Sequence, residues 1–397
     1  MKNNPKKTIH VITKHFYPVL GGAIINVAET YSHLVKNGWR VTIHTTKNTR
    51  SEKNALPDFG EYNEIQIRRY NDLKFKFIPL IQEVEYSQGG NISLHGSSIF
   101  PNYYVYLYTI LLKILKRKRY SLFLTTHGLF NLDIGNPGLK MKFKKIIDYT
   151  LGIFLINHSV DGLRAVSNWE KQLLINAKIK PNLIKVIPNG LPEEAFSNTK
   201  DYSSENIKNK TKNLKKYLTQ VARIDRTKNF EVVIKALKLI PKNIKFLIVG
   251  PDHIASYKKE LLKLIKQLGL EERVIFMGTV KGTDKYLLMK NSEMMVHMAR
   301  VEGFCNAVHE GMSQGLVCIV SNNTALPELI TNKVNGYCLD VNDSKGLARK
   351  INYVLENKND SVIKDMKMKN QQFTAGHTWK NIANQVEQFY LSKKLYD

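Results

Sequence analysis

Short runs of β-branched and aliphatic residues alternate with longer stretches of helical spacing from one end of the chain to the other. Ile9–Thr13 reads as a strand, followed by a Pro-Gly loop and an amphipathic helix from about Ala23 to Lys36. Gly38 ends that helix and Arg40–Thr46 is the next strand. The pattern predicts further strands at Ile65–Arg69, Ile92–Leu94, Ser121–Thr125, Leu163–Val166 and Ile184–Ile187, with helices over 101–118, 138–157 and 168–177. Strands separated by crossover helices make a parallel, doubly wound sheet.

Residues 192–216 break the rhythm: they are polar, rich in Asn, Lys and Ser, and read as a linker. The alternation then restarts, with strands at Tyr217–Ala222, Ile244–Val249, Val274–Phe276, Met294–His297, Val317–Val320 and Gly336–Leu339. Helices are predicted over 229–240, 255–268, 282–290, 306–315, 324–331 and 343–357, and a last helix over 378–392 stands outside this alternation, its apolar residues spaced for packing. The fold class is therefore α/β, two tandem doubly wound Rossmann-like domains. The expected limits are 1–190 for the first domain, 191–216 for the linker, 217–375 for the second and 376–397 for the tail. Open parallel sheets bind ligands beyond the carboxyl ends of their strands, so two facing sheets predict a deep cleft lined by the loops that follow strands.

Composition narrows the classes. A chain of 397 residues exceeds one compact core, and 43% hydrophobic residues suffice for ordinary packed domains. No apolar run reaches membrane-spanning length, and Met1 to Lys7 lacks the apolar core of a signal peptide, so a cytoplasmic protein is expected. Cys305, Cys318 and Cys338 are odd in number and lack metal-ligand spacing, which suits a reducing compartment. The net charge of +26 has two readings: a lysine-rich genomic bias, or attraction to an anionic partner. Its sharpest clusters, Lys113–Arg119 and Lys140–Lys145, stand beside apolar residues at helical spacing, which reads as an element lying on an anionic membrane surface. No helix-turn-helix, zinc-finger or RNP-type pattern supports nucleic acid.

Three loops carry candidate chemistry. After the first strand, Pro18-Val19-Leu20-Gly21-Gly22 precedes a helix whose N-terminus can receive an anion, although a tight turn accounts for Gly-Gly equally well. It is not the G-x-G-x-x-G of a dinucleotide cofactor. Arg223 and Lys228 flank the end of a strand and the start of a helix, where two cations could converge on a diphosphate, or arise by chance among 60 basic residues. Glu302-Gly303-Phe304-Cys305-Asn306-Ala307 leads into a helix bearing Glu310, so two carboxylates flank a helix N-terminus. They could accept hydrogen bonds from sugar and ribose hydroxyls while helix N–H groups meet phosphate; a helix cap and a surface charge are the simpler alternative.

Glu302 and Glu310 resemble the E-x7-E motif of retaining GT-B glycosyltransferases of family four, the glycosyl transferases group 1. The resemblance runs through the Pro18…Gly21-Gly22 loop, Thr126-His127-Gly128, Ala165-Val166-Ser167, Val186-Ile187-Pro188-Asn189-Gly190, Arg223…Lys228, Val249-Gly250 and Asn335-Gly336. Ala222 and Asn229 stand where glycine is usual, and Cys305-Asn306 where Gly-Ile or Gly-Leu is commoner. The resemblance implies a nucleotide diphosphate sugar held mainly in the second domain, an acceptor admitted from the first, and a C-terminal tail that crosses back onto the first. It implies that Arg223 and Lys228 neutralise the departing diphosphate, Glu310 binds ribose, Glu302 binds the transferred sugar, Gly22 offers its N–H to phosphate and His127 lines the sugar site. It implies too that the loop carrying Met277 and Val280 walls the base and that neither metal nor other cofactor is needed. The implied reaction moves a hexose-type sugar, with retention, to a lipid-linked or saccharide acceptor in surface polysaccharide or glycolipid synthesis, with a peripheral station on the inner face of the membrane. The alternatives are a sugar-nucleotide epimerase of similar fold, a nicotinamide-dependent oxidoreductase that lacks its glycine fingerprint here, and a non-catalytic anionic-lipid or nucleic-acid binding protein. His10, His33, His44, His95, His158, His253, His297, His309 and His377 receive no role from sequence.

Overall fold

The structure, a computed structural model, describes residues 7–19, 21–49, 52–53, 55–71, 90–96, 99–127, 146–197 and 200–393. The chain forms two compact units, one of residues 1–190 with 379–397 and one of residues 191–378.

The first unit carries β1 (Thr8–Thr13), β2 (Arg40–Thr46), β3 (Phe59–Tyr62), β4 (Ile65–Tyr70), β5 (Gly90–His95), β6 (Tyr120–Thr125), β7 (Gly162–Ala165) and β8 (Ile184–Val186). Their order is β3-β4-β2-β1-β5-β6-β7-β8. Neighbours are parallel except β3 with β4, an antiparallel edge hairpin that the sequence pattern did not predict because Phe59, Gly60 and Glu61 are exposed. Central strands such as β5 and β6 are buried along their whole length, which helices on both faces of a parallel sheet require. The helices are α1 (Gly22–Lys36), α2 (Ile99–Ile114), α3 (Ile153–Ser159, entered through a π-helical turn at Asp148–Gly152) and α4 (Asn168–Asn176). Residues 138–145 of the predicted helix over 138–157, with the basic cluster Lys140–Lys145, lie outside the described residues.

The second unit holds β9 (Tyr217–Val221), β10 (Lys245–Val249), β11 (Val274–Gly278), β12 (Met294–His297), β13 (Cys318–Ser321) and β14 (Gly336–Leu339) in the all-parallel order β11-β10-β9-β12-β13-β14. Around it run α5 (Glu205–Thr211), α6 (Phe230–Leu237), α7 (Ala255–Leu268), α8 (Gly282–Lys290), α9 (Asn306–Ser313), α10 (Leu326–Leu329), α11 (Ser344–Glu356) and α12 (Ser361–Ala375). The supposed linker over 191–216 is a packed part of this unit. Leu191, Ala195 and Ile207 are buried, and Asp284 accepts the backbone N–H groups of Ser203 at 2.6 Å and Ser204 at 3.0 Å. Three apolar anchors and one buried carboxylate hold a segment whose average composition is polar.

A last helix, α13 (Trp379–Leu391), belongs to the first unit. Trp379, Ile382, Val386, Phe389 and Tyr390 are buried with Val27, Tyr31 and Leu34 of α1 in one apolar cluster. Glu387 accepts from Trp39 Nε1 at 2.9 Å and Asn37 Nδ2 at 2.6 Å. Among the described residues no helix is long and apolar enough to cross a membrane.

Candidate active site

In the second sheet the strand order reverses between β9 and β12, the point where an open α/β sheet leaves a crevice at its carboxyl edge. The loops leaving these two strands are tied to each other. After β9, Asp225 accepts from Thr227 N at 3.0 Å and starts a 3-10 turn, Arg226–Lys228. Asn229 follows in the left-handed region at φ 55°, a conformation Asn tolerates better than most residues. Its buried amide donates to Met298 O at 2.9 Å and Val341 O at 2.7 Å, and accepts from Arg300 at 2.7 Å. The departure from glycine thus has a structural use: Asn229 pins together the loops that follow β9, β12 and β14.

This pinned turn aims Lys228 at Glu302. Lys228 Nζ lies 2.6 Å and His297 Nε2 2.7 Å from Glu302 Oε1, and the thiol of the buried Cys305 is hydrogen-bonded to the same carboxylate. Burial by itself raises the Glu302 carboxyl, but the Lys228 ammonium and the His297 hydrogen bond reverse this and hold it at about 2. Burial lowers the Lys228 ammonium, and the Glu302 charge more than compensates, so its net shift is upward. Burial and the nearby Glu302 charge push the Cys305 thiol up, which keeps it protonated. Gly303 to Asn306 continue the loop into α9, whose N-cap is Cys305, with Ala307 in its first turn. Glu302 N donates to Thr324 Oγ1 at 3.1 Å and Ala325 N to Glu302 O at 3.2 Å, so the loop after β13 holds the carboxylate in place.

The other predicted residues sit apart from this cluster. Arg223 is the more exposed cation, within 3.4 Å of Asp225 and 3.3 Å of His253 Nε2. Glu310 pairs instead with Lys285 of α8 at 2.8 Å. Met277 and Val280 turn their side chains into an apolar cluster with Leu247, Val249 and Leu288, so they cannot wall a base with those side chains. Between them, Gly278, at φ 71°, and Thr279 are exposed. Gly250 is needed where it stands, because a Cβ there would lie 2.0 Å from Ala222 O.

In the first unit Gly21 is the N-cap of α1 without a side-chain cap, so the first N–H groups of that helix are left to other acceptors. His127 follows β6 in the left-handed region at φ 50°. Its Nε2 is 2.8 Å from His95 Nδ1 at the end of β5. His95 Nε2 is in turn 2.8 Å from the Tyr31 hydroxyl, which lies 2.8 Å from that of Tyr390 in α13. Burial first, then the Arg164 charge, lowers His127 to about 3, so it is neutral at neutral pH. Arg164 itself, buried, ties the Val186–Gly190 segment through Ile187 O at 3.0 Å and Pro188 O at 2.7 Å.

His297 and His95, left without roles by sequence, are thus the direct partners of Glu302 and His127. Each ends a strand on the ligand-binding edge, a position that could have singled them out. Lys285 left no local signal. His297, Glu302 and Cys305 place one ligand atom each within 4.8 Å of one another, a set that could hold a metal ion. A cation there would have to displace Lys228 from the same carboxylate oxygen.

Residues 20–195 match the family model described as Glycosyltransferase Family 4, and residues 203–395 match that described as Glycosyl transferases group 1. The chain belongs to these glycosyltransferases. Its fold is that of the GT-B glycosyltransferases: the Anabaena protein HepE, solved in complex with UDP-glucose, aligns over 97% of this chain and 99% of its own with a TM-score of 0.74 and 19% identity. The N-acetyl-alpha-D-glucosaminyl L-malate synthase of Bacillus anthracis is 23% identical over 84% of each chain. The UDP-Gal:alpha-D-GlcNAc-diphosphoundecaprenol alpha-1,3-galactosyltransferase of Escherichia coli is 28% identical over 57% of this glycosyltransferase and 58% of its own length.

Proposed function

We propose that this glycosyltransferase moves a hexose-type sugar from a nucleotide diphosphate sugar to a lipid-linked or saccharide acceptor, with retention of anomeric configuration, in surface polysaccharide or glycolipid assembly. The observation that carries this reading is the buried Lys228–Glu302–His297 cluster at the switch point of the second sheet. A lysine held charged beside a carboxylate held charged is an ion pair that a donor can split. The diphosphate takes the ammonium and the sugar's hydroxyls donate to the carboxylate. Arg223, exposed and paired with Asp225 in the loop that carries Lys228, adds a second cation to the leaving group. As the bond from the anomeric carbon to phosphate oxygen breaks, the acceptor oxygen attacks from the same face, and its proton passes to a phosphate oxygen of the departing diphosphate. His127, neutral at neutral pH, offers hydrogen bonds to the sugar rather than charge. Glu310 binds the ribose once it leaves Lys285. The side-chain cations take the place of a divalent ion at the diphosphate. The named acceptor of the Escherichia coli relative, a sugar on diphosphoundecaprenol, supports the lipid-linked alternative.

The test is a thermal-shift screen of UDP-, GDP- and ADP-sugars followed by turnover of the donor that binds. Lys228→Ala and Arg223→Ala should each lower turnover by about 10²-fold or more, the usual cost of one preorganised donor to a developing charge. EDTA should leave turnover intact. Near-normal turnover in both variants, or activity abolished by EDTA and restored by Mg²⁺, overturns the reading.

A further inference from the structure

The loop between β12 and α9 brings together three side chains of metal-ligating type. His297 ends β12, Glu302 lies midway and Cys305 is the N-cap of α9. His297 Nε2 donates to Glu302 Oε1 at 2.7 Å, and the Cys305 thiol is hydrogen-bonded to the same carboxylate. The nitrogen, oxygen and sulfur atoms all lie within 4.8 Å of one another. Ligands of a tetrahedral zinc ion stand roughly 3.3–3.6 Å apart, so movements of about 1 Å close the set on such an ion. His297 and Cys305 are buried, while the Glu302 and Lys228 side chains keep 12% and 13% exposure, which leaves an entry on their side. Cys305 stands where glycine is commoner in the sequences this loop resembles, so the sulfur ligand comes from a departure from that pattern.

The mixed donors decide the ion. Magnesium and calcium take shells of oxygen, whereas imidazole, carboxylate and thiolate together suit zinc. We propose that His297, Glu302 and Cys305 form a site for a thiophilic divalent cation, zinc above all, that competes with Lys228 for Glu302. On binding, the Cys305 thiol releases its proton to solvent, and the His297 proton moves from Nε2 to Nδ1. That Nδ1 is buried without a hydrogen-bond partner among the described residues. A ligating imidazole normally has its other N–H held by an acceptor, and the lack of one costs about 10–100-fold in affinity, so zinc binds here reversibly. Lys228 Nζ lies 2.6 Å from Glu302 Oε1, too close for an ammonium and a dication to share that oxygen. Zinc therefore drives Lys228 off the carboxylate and inhibits transfer. That inhibition rests on the proposed function; the metal site does not.

Cobalt reports such a site directly, because a thiolate bound to Co²⁺ absorbs in the near ultraviolet. Wild type, Cys305→Ser, Lys228→Ala and Cys338→Ser, each as the full chain, are titrated with Co²⁺ and then with Zn²⁺, and zinc affinity is read by calorimetry. Wild type should show the absorption, and Zn²⁺ should abolish it by displacement, since zinc stands above cobalt in affinity for these donors. Mg²⁺ should leave it unchanged. Cys338→Ser, at a cysteine outside the cluster, should behave as wild type. Cys305→Ser should lose the absorption and about 10²-fold or more in zinc affinity, at least the cost of losing an outer-shell partner. Cys305→Gly repeats that measurement should serine unsettle the buried turn. Lys228→Ala, freed of the competing ammonium, should bind zinc about tenfold or more tightly. No absorption in wild type, its survival in Cys305→Ser, or zinc binding no tighter in Lys228→Ala overturns the assignment. A chain that passes these tests yet turns over no nucleotide sugar keeps the metal site and overturns the proposed function instead.

Discussion

Glu302 carries more of the site's electrostatics than its place in a motif suggests. Its carboxyl is held at about 2, against 4.5 ordinarily, because burial is outweighed by Lys228 and His297. A carboxyl depressed in the folded state stabilises the fold above its unfolded value, and that stabilisation is lost as pH falls towards the folded value. The window here runs from about 4.5 down to about 2. Glu302→Gln leaves the Lys228 ammonium buried without its counter-charge, so at pH 7 it should cost on the order of 2–4 kcal/mol of stability. Urea unfolding of both proteins from pH 7 to pH 2.5 should show that difference shrinking below pH 4.5. A difference independent of pH removes the ion pair as its cause. The residues legible in the sequence, Arg223, Lys228, Glu302 and Glu310, are those whose type and spacing announce chemistry. Their partners were hidden because pairing is a tertiary fact: Lys285 meets Glu310 from the preceding helix, and His95 meets His127 from a neighbouring strand.

At the scale of elements, strands were easier to read than the pieces that seal them. Buried parallel strands such as β2 and β12 are apolar or β-branched runs with sharp ends. α12 escaped because its inward positions are Ile363, Met366, Asn370 and Thr374, two of them polar, with Asn370 spent on Asn335 O and Leu316 O. α13 was legible as a helix from Trp379, Ile382, Val386 and Phe389. The glycine in Val186–Gly190 looked like a motif residue, and its reason is packing: a Cβ on Gly190 would sit 2.7 Å from the backbone of Trp379, where α13 begins. Gly190→Ala must therefore push the start of α13 off its seat. Chemical denaturation should show a loss of about 1–3 kcal/mol, as overpacking usually costs. Nucleotide-sugar binding should be retained, because the second unit's side chains are untouched. An unchanged denaturation midpoint means that Trp379 moves freely and the tight approach has no cost.

At the scale of the whole molecule the two alternations of strand and helix were legible, because each unit repeats one plan, while the place of residues 191–216 was not. Polar average composition made 191–216 look like a tether, yet its few apolar residues are anchors of the second unit. The two units also differ in how they are closed. The clusters of the second unit are drawn wholly from residues 191–378. The first unit's cluster around α1 needs Trp379, Ile382, Val386, Phe389 and Tyr390 from the far end of the chain. A fragment of residues 191–378 should therefore fold cooperatively by itself, and a fragment of residues 1–190 should not. If Arg223, Lys228, Glu302 and Glu310 hold the donor, the folded fragment should also bind the nucleotide diphosphate sugar that the full chain selects. Its affinity should stay within about tenfold, roughly 1.4 kcal/mol, of the full chain's. Calorimetric titration of both proteins with that donor decides the matter. A fragment that unfolds cooperatively yet shows no donor binding means that the first unit supplies donor contacts the second cannot replace, and the assignment of the donor to these four side chains falls.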